Sequence, residues 1–96
     1  MGKLKFNPEK NLKELEKFEF KPKYDENTGK IYKYVCEKEI GYQDKRKVTL
    51  ITVMKDTYQR GQYDYVEYYK VIFEEKCNEA VELLYDLFKA NLVVKE

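Results

Sequence analysis

The stretch "KVTLITVMKDTYQRGQYDYVEYYKVIF", residues 47–73, decides the fold. Both halves are rich in β-branched and aromatic residues, and "TYQRGQ", with Gly61 as its breaker, separates them. Two strands joined by a loop are expected. In the first half Val48, Leu50, Thr52 and Met54 point one way, while Thr49, Ile51 and Val53 point the other. Both sets tolerate burial, so this strand is placed in the middle of a sheet. In the second half Tyr63, Tyr65, Glu67, Tyr69, Val71 and Phe73 share one side. Val66, Tyr68, Lys70 and Ile72 share the other. The first set is fully apolar after Glu67, as a strand resting on a core requires. Tyrosine is itself a good strand former, which explains most of the five tyrosines between residues 56 and 70 without a ligand.

Two more strands are read upstream. "KIYKYVCEKEI" alternates Tyr32, Tyr34 and Cys36 against Lys33, Val35, Glu37 and Glu39. Before it, "EFKPKYDENTGK" holds an edge strand marked by Pro22, followed by a turn in which Asp25, Asn27 and Gly29 supply the chemistry. An EF-hand reading of that turn fails on glycine spacing and the missing twelfth-position glutamate. "NPEKNLKELEKF" reads as an N-terminal helix capped by Asn7, with Pro8 in its first turn and a thin stripe of Leu12, Leu15 and Phe18. At the other end Cys77, Ala80, Val81, Leu84, Leu87 and Phe88 recur at spacings of three and four, and Asn91 can end the helix they define. The expected fold is α+β, a single domain over residues 1–96. An N-terminal helix precedes a four-stranded antiparallel meander, and a C-terminal amphipathic helix packs on one sheet face. The reverse face, built from Ile31, Val35, Ile51, Val53, Val66, Tyr68 and Ile72, would be left apolar and open to a partner or a second copy.

Composition narrows the chemistry. The chain contains no histidine, serine or tryptophan, so the usual catalytic triads cannot be assembled. Two distant cysteines, Cys36 and Cys77, read as small buried hydrophobes and do not suffice for a zinc site. No catalytic, metal-binding or cofactor-binding residue is assigned. The net charge of +1 is unevenly spread, basic up to residue 60 and acidic beyond it. Seventeen lysines against two arginines fit an AT-rich genome. No apolar run spans a bilayer and "MGKLKFNPEK" has no signal-peptide core, so a cytoplasmic, non-membrane protein is expected.

The candidate contact residues are Tyr58 and Arg60 in the third loop, Tyr68 and Lys70 on the sheet, and Lys45, Arg46 and Lys47 in the second loop. Tyrosine and arginine dominate interface energetics, and a loop tyrosine outside the strand alternation is hard to assign to a core. The two loops lie at opposite ends of the strand they share, so they do not form one patch. The expected function is stoichiometric, non-enzymatic contact with a protein partner. An accessory or inhibitory factor of a phage or mobile element, of the anti-defence type, fits the size and codon bias. The alternative is a single-stranded DNA- or RNA-binding protein that stacks bases on sheet tyrosines among lysines. The double-stranded-RNA-binding layout is set aside, because the last helix begins "FEEKCNE" rather than with lysines.

Overall fold

A computed structural model describes residues 3–95. Six strands form one antiparallel sheet: β1 (Leu4–Phe6), β2 (Lys21–Tyr24), β3 (Ile31–Ile40), β4 (Arg46–Gln59), β5 (Tyr65–Phe73) and β6 (Val93–Lys95). Their spatial order is β2-β3-β4-β5-β1-β6. A short 3-10 helix (Leu12–Phe18) follows β1, and α1 (Asn78–Lys89) joins β5 to β6. The meander of β2 to β5 matches the alternation in the sequence. The expected count of four strands is wrong, because β1 and β6 add two more. They come from opposite ends of the chain and pair Leu4 with Lys95, Lys5 with Val94 and Phe6 with Val93. Strands of three residues are too short for a period of two to be read, and nothing local announces their pairing.

No N-terminal α-helix forms, which corrects the second expectation. Asn7 is drawn into the closure of the two chain ends. Its amide donates to the Leu92 carbonyl (2.8 Å), its side-chain nitrogen to the Asn91 carbonyl (2.9 Å), and its Oδ1 accepts from the Glu9 amide (3.0 Å). The capping role passes to Asn11, whose Oδ1 accepts from Lys13 while Glu14 reaches back to the Asn11 amide. The turn that follows is wound as a 3-10 helix. Its apolar residues Leu12, Leu15 and Phe18 are spaced by three, which lines them up along one side at three residues per turn. Leu15 is fully buried, and Glu19 in the left-handed region ends the helix.

Register decides which sheet face is the core. Tyr34 lies opposite Val53 and Cys36 opposite Ile51, while Val53 and Ile51 lie opposite Val71 and Phe73. These residues share the face covered by the 3-10 helix and α1, where they join Leu15, Ala80 and Leu87 in the core. The apolar reverse face expected from Ile51 and Val53 therefore does not form. A bulge opposite the Cys36–Glu37 step leaves Leu50 without its own partner, and consecutive Leu50 and Ile51 are both fully buried. The reverse face is mixed, with Lys33, Val35 and Glu37 on β3, Thr52, Met54, Asp56 and Tyr58 on β4, and Val66, Tyr68, Lys70 and Ile72 on β5. On it Val35 and Thr52 are only 3% and 5% exposed, and Asp56, Tyr68 and Lys70 share a cavity with Val81 and Leu84 of α1.

α1 ends in a left-handed Asn91 (φ 64°), as its position suggested. The Leu92 amide returns to the Leu87 carbonyl and the Asn91 amide to that of Phe88, with Leu87 and Leu92 both buried. The chain is thereby turned straight into β6. At the β3–β4 turn, Gly41 (φ 107°) has no substitute, since a Cβ there would stand 2.6 Å from the Asp44 carbonyl oxygen. Truncating the single fully buried anchor of the 3-10 helix tests its docking. Leu15→Ala is expected to cost about 2–5 kcal/mol in urea unfolding, and Leu12→Ala, at a half-buried position, clearly less. Equal costs would show that the helix is not held by Leu15.

Candidate functional site

β4 and β5 outrun the rest of the sheet. Their ladder continues to Gln59 opposite Tyr65, but β3 reaches β4 only as far as Met54, and β1 meets β5 at Lys5 opposite Lys70. Most of residues 55–69 therefore forms a two-stranded arm. Its tip is closed by the Arg60 amide bonding to the Asp64 carbonyl (2.8 Å). The Arg60 guanidinium adds two contacts to the Asp64 carboxylate, at 2.8 and 2.9 Å.

The phase of this ladder exposes part of the β5 backbone. Bonds from the Arg60 amide to the Asp64 carbonyl, and from the Glu74 amide to the Leu50 carbonyl, bracket the ladder and fix its alternation. Val66, Tyr68, Lys70 and Ile72 then turn their N–H and C=O groups toward β4, and Tyr65, Glu67, Tyr69 and Val71 turn theirs away. β1 covers only the Tyr69–Val71 part. It departs at Asn7, held by its bonds to Asn91 and Leu92, and Pro8 has no N–H to offer. The main-chain groups of Tyr65 and Glu67 are left with no strand beside them, and Glu67 borders a groove of about 550 Å³. Tyr58, Val66, Tyr68 and Tyr69 line its near side, and Lys5, Phe6, Pro8, Lys10 and Leu12 its far side.

The two outermost strands are blunted. β2 carries Pro22 between two lysines, and β6 is three residues long. On the β4 side of the arm, the Thr57 amide is taken by Asp56 Oδ1 (2.8 Å). That bond and the Lys70 ammonium 3.2 Å away hold the Asp56 carboxyl below the usual aspartate range.

The structure brings some of the sequence-predicted residues together. Tyr58 and Tyr68 meet edge to face on the arm, with ring centroids 5.6 Å apart and planes at 70°. Lys70 lies beside them, paired with Asp56. Arg60 is occupied at the tip by Asp64. Lys45, Arg46 and Lys47 stand at the far end of β4, where Arg46 approaches Glu75 at 3.8 Å. Sequence reasoning missed Lys5, Lys10, Leu12 and the free Tyr65–Glu67 backbone, because only the path of β1 makes them neighbours. Glu67, in the groove wall, is paired with Lys55 at 2.9 Å, which raises the lysine pKa. Lys5 and Lys10 face the same groove without a carboxylate in ion-pair range among the described residues.

Cys36 is fully buried, its Sγ is 3.7 Å from the Phe18 carbonyl, and burial pushes its thiol pKa up. Among the described residues there is no metal-binding cluster of three or more His, Cys, Asp or Glu side chains. No helix among them is long and apolar enough to cross a membrane. No protein-family model matches this chain, and comparison with curated proteins and with solved structures gives no match.

Two measurements check this electrostatic picture. The Asp56 carboxyl carbon is expected to titrate below the usual aspartate range by NMR, and Lys70→Met should move its midpoint upward. Because this pKa is depressed in the fold, its contribution to stability is present above about pH 4 and is lost as pH falls further. A midpoint indifferent to Lys70→Met would leave the Thr57 amide and the Tyr68 hydroxyl as the causes. For Cys36, whose thiolate the fold disfavours, alkylation at neutral pH should follow unfolding. Labelling of the native chain at Cys36 as fast as in urea would contradict its burial.

Proposed function

We propose that this chain is a non-enzymatic protein that acts by stoichiometric contact with a protein partner, gripped by the arm. The single observation that carries the reading is the open β5 edge at Tyr65 and Glu67, beside a groove, in a sheet whose two outermost strands are blunted. An unprotected edge is a liability unless something pairs with it, and strand addition is a common way for one protein to hold another. The tyrosines beside it supply contact area at low entropic cost, since each has only two side-chain torsions. The lack of histidine and serine supports a binding role over catalysis. An accessory or inhibitory role in the cytoplasm of a phage-bearing or mobile-element host fits the small size and the lysine-heavy composition.

The nucleic-acid reading draws less support. The Tyr58 and Tyr68 rings rest against each other, whereas a stacking platform presents open ring faces. The lysine beside them is paired with Asp56.

The test is capture of partners from the source organism by the tagged full-length chain and its variants. Tyr58→Ala with Tyr68→Ala should reduce the captured partner at least about tenfold, the loss expected of a hot-spot pair. Replacing Lys45, Arg46 and Lys47 together by alanine should leave capture unchanged. Capture that survives the tyrosine changes but is lost with the basic loop would relocate the site. Binding of single-stranded oligonucleotides that weakens steeply with salt would instead favour the alternative.

A further inference from the structure

Resting on the protein-binding reading, the geometry points to one class of occupant for the groove: an extended segment of the partner that carries acidic side chains. We infer that it adds as a single strand along β5 and bonds to the Tyr65 and Glu67 backbone. The inference combines two independent features. The first is the pair of unpaired backbone positions, which fits an extended chain. The second is charge. Among the described residues, Lys5 and Lys10 line the groove without a carboxylate partner, and Glu67, the acidic residue in its wall, is paired with Lys55. A strand bearing carboxylates supplies the missing counter-charges, whereas a basic strand would meet two cations. Half-buried Leu12 and Val66 in the same groove offer apolar surface to alternate side chains of the strand. A second copy of this chain suits the groove poorly. Its β5 would arrive with β4 attached, and the far side is walled by Pro8, Lys10 and Leu12.

The experiment uses the full chain, isotope-labelled, with three capped peptides of about seven residues, a typical strand length. One alternates valine with aspartate. The second has lysine in place of aspartate. The third is the acidic peptide with alternate amides N-methylated. The acidic peptide is expected to shift the Tyr65 and Glu67 amide resonances downfield, as new hydrogen bonds do, while the lysine peptide leaves them in place. N-methylation on the pairing edge should abolish the shift. Lys5→Glu with Lys10→Glu, checked for an unchanged fold by its remaining resonances, should weaken the acidic peptide at least about tenfold and admit the lysine peptide. Equal response to both charges, or shifts confined to residues away from β5, would overturn the inference. So would a concentration-dependent dimer in sedimentation with Tyr65 and Glu67 already protected, since a second copy would then fill the groove. Binding of a single-stranded oligonucleotide at these amides would overturn it as well. If the tyrosine variants lose a captured partner but the acidic peptide leaves β5 unmoved, this inference fails and the protein-binding reading stands. If the peptide binds β5 but capture ignores the arm, the reverse holds.

Discussion

Asn7 fastens the beginning of the described chain to its end, and the rest of the architecture follows from that fastening. Its hydrogen bonds with Leu92, Asn91, Glu9 and Lys10 stop β1 after three residues and turn it from the sheet. Had β1 continued, it would have run on beside Glu67 and Tyr65 and sealed β5. Because it stops, β5 is left without a neighbour on that side beyond Tyr69. The groove is thus a by-product of how the termini are tied. A buried asparagine whose amide and side chain are all bonded is costly to replace, since each orphaned partner loses its bond in a place poor in water.

Much of the fold was legible because its signals are local. The α1 stripe repeats at three and four, and Asn91 marks its end. The β3, β4 and β5 faces alternate over nine or more residues each. What was illegible depends on residues far apart in the chain. Asn7 and Asn11 carry the same capping chemistry, four residues apart, and only the contact with Asn91 decides that Asn7 is used elsewhere. The spacing of Leu12, Leu15 and Phe18 fits a 3-10 winding, yet a stripe of three residues is easily taken for an α-helix. Parity alone put Ile51 and Val53 with the reverse face, and register moved them to the core. Of the candidate site, Tyr58, Tyr68 and Lys70 could be picked by residue type and strand position. The open backbone could not, because residue type says nothing about where a neighbouring strand ends.

The five tyrosines between residues 58 and 69 differ in role by their position on the arm. Tyr69 packs against the core and Tyr68 rests against Tyr58, while Tyr65 and Tyr63 stand exposed toward the tip. One residue type therefore serves as core, as a wall of the groove and as exposed surface, according to how far along the ribbon it lies. The ion pairs of the arm follow the same economy. Lys55 with Glu67, Lys70 with Asp56 and Arg60 with Asp64 each join the two strands or close their turn. Exposed pairs of this kind add little stability individually, but they hold the ribbon's register where no third strand does.

The pairing of Leu4–Phe6 with Val93–Lys95 also sets an order on synthesis. As the chain leaves the ribosome, β1 can meet β5 only after residues 65–73 have emerged, and β6 only after residues 93–95. Contacts so distant in sequence close slowly. Until they close, a nascent chain carries Phe6 bare and the outer edge of β5 open, and is then most exposed to mispairing with its neighbours.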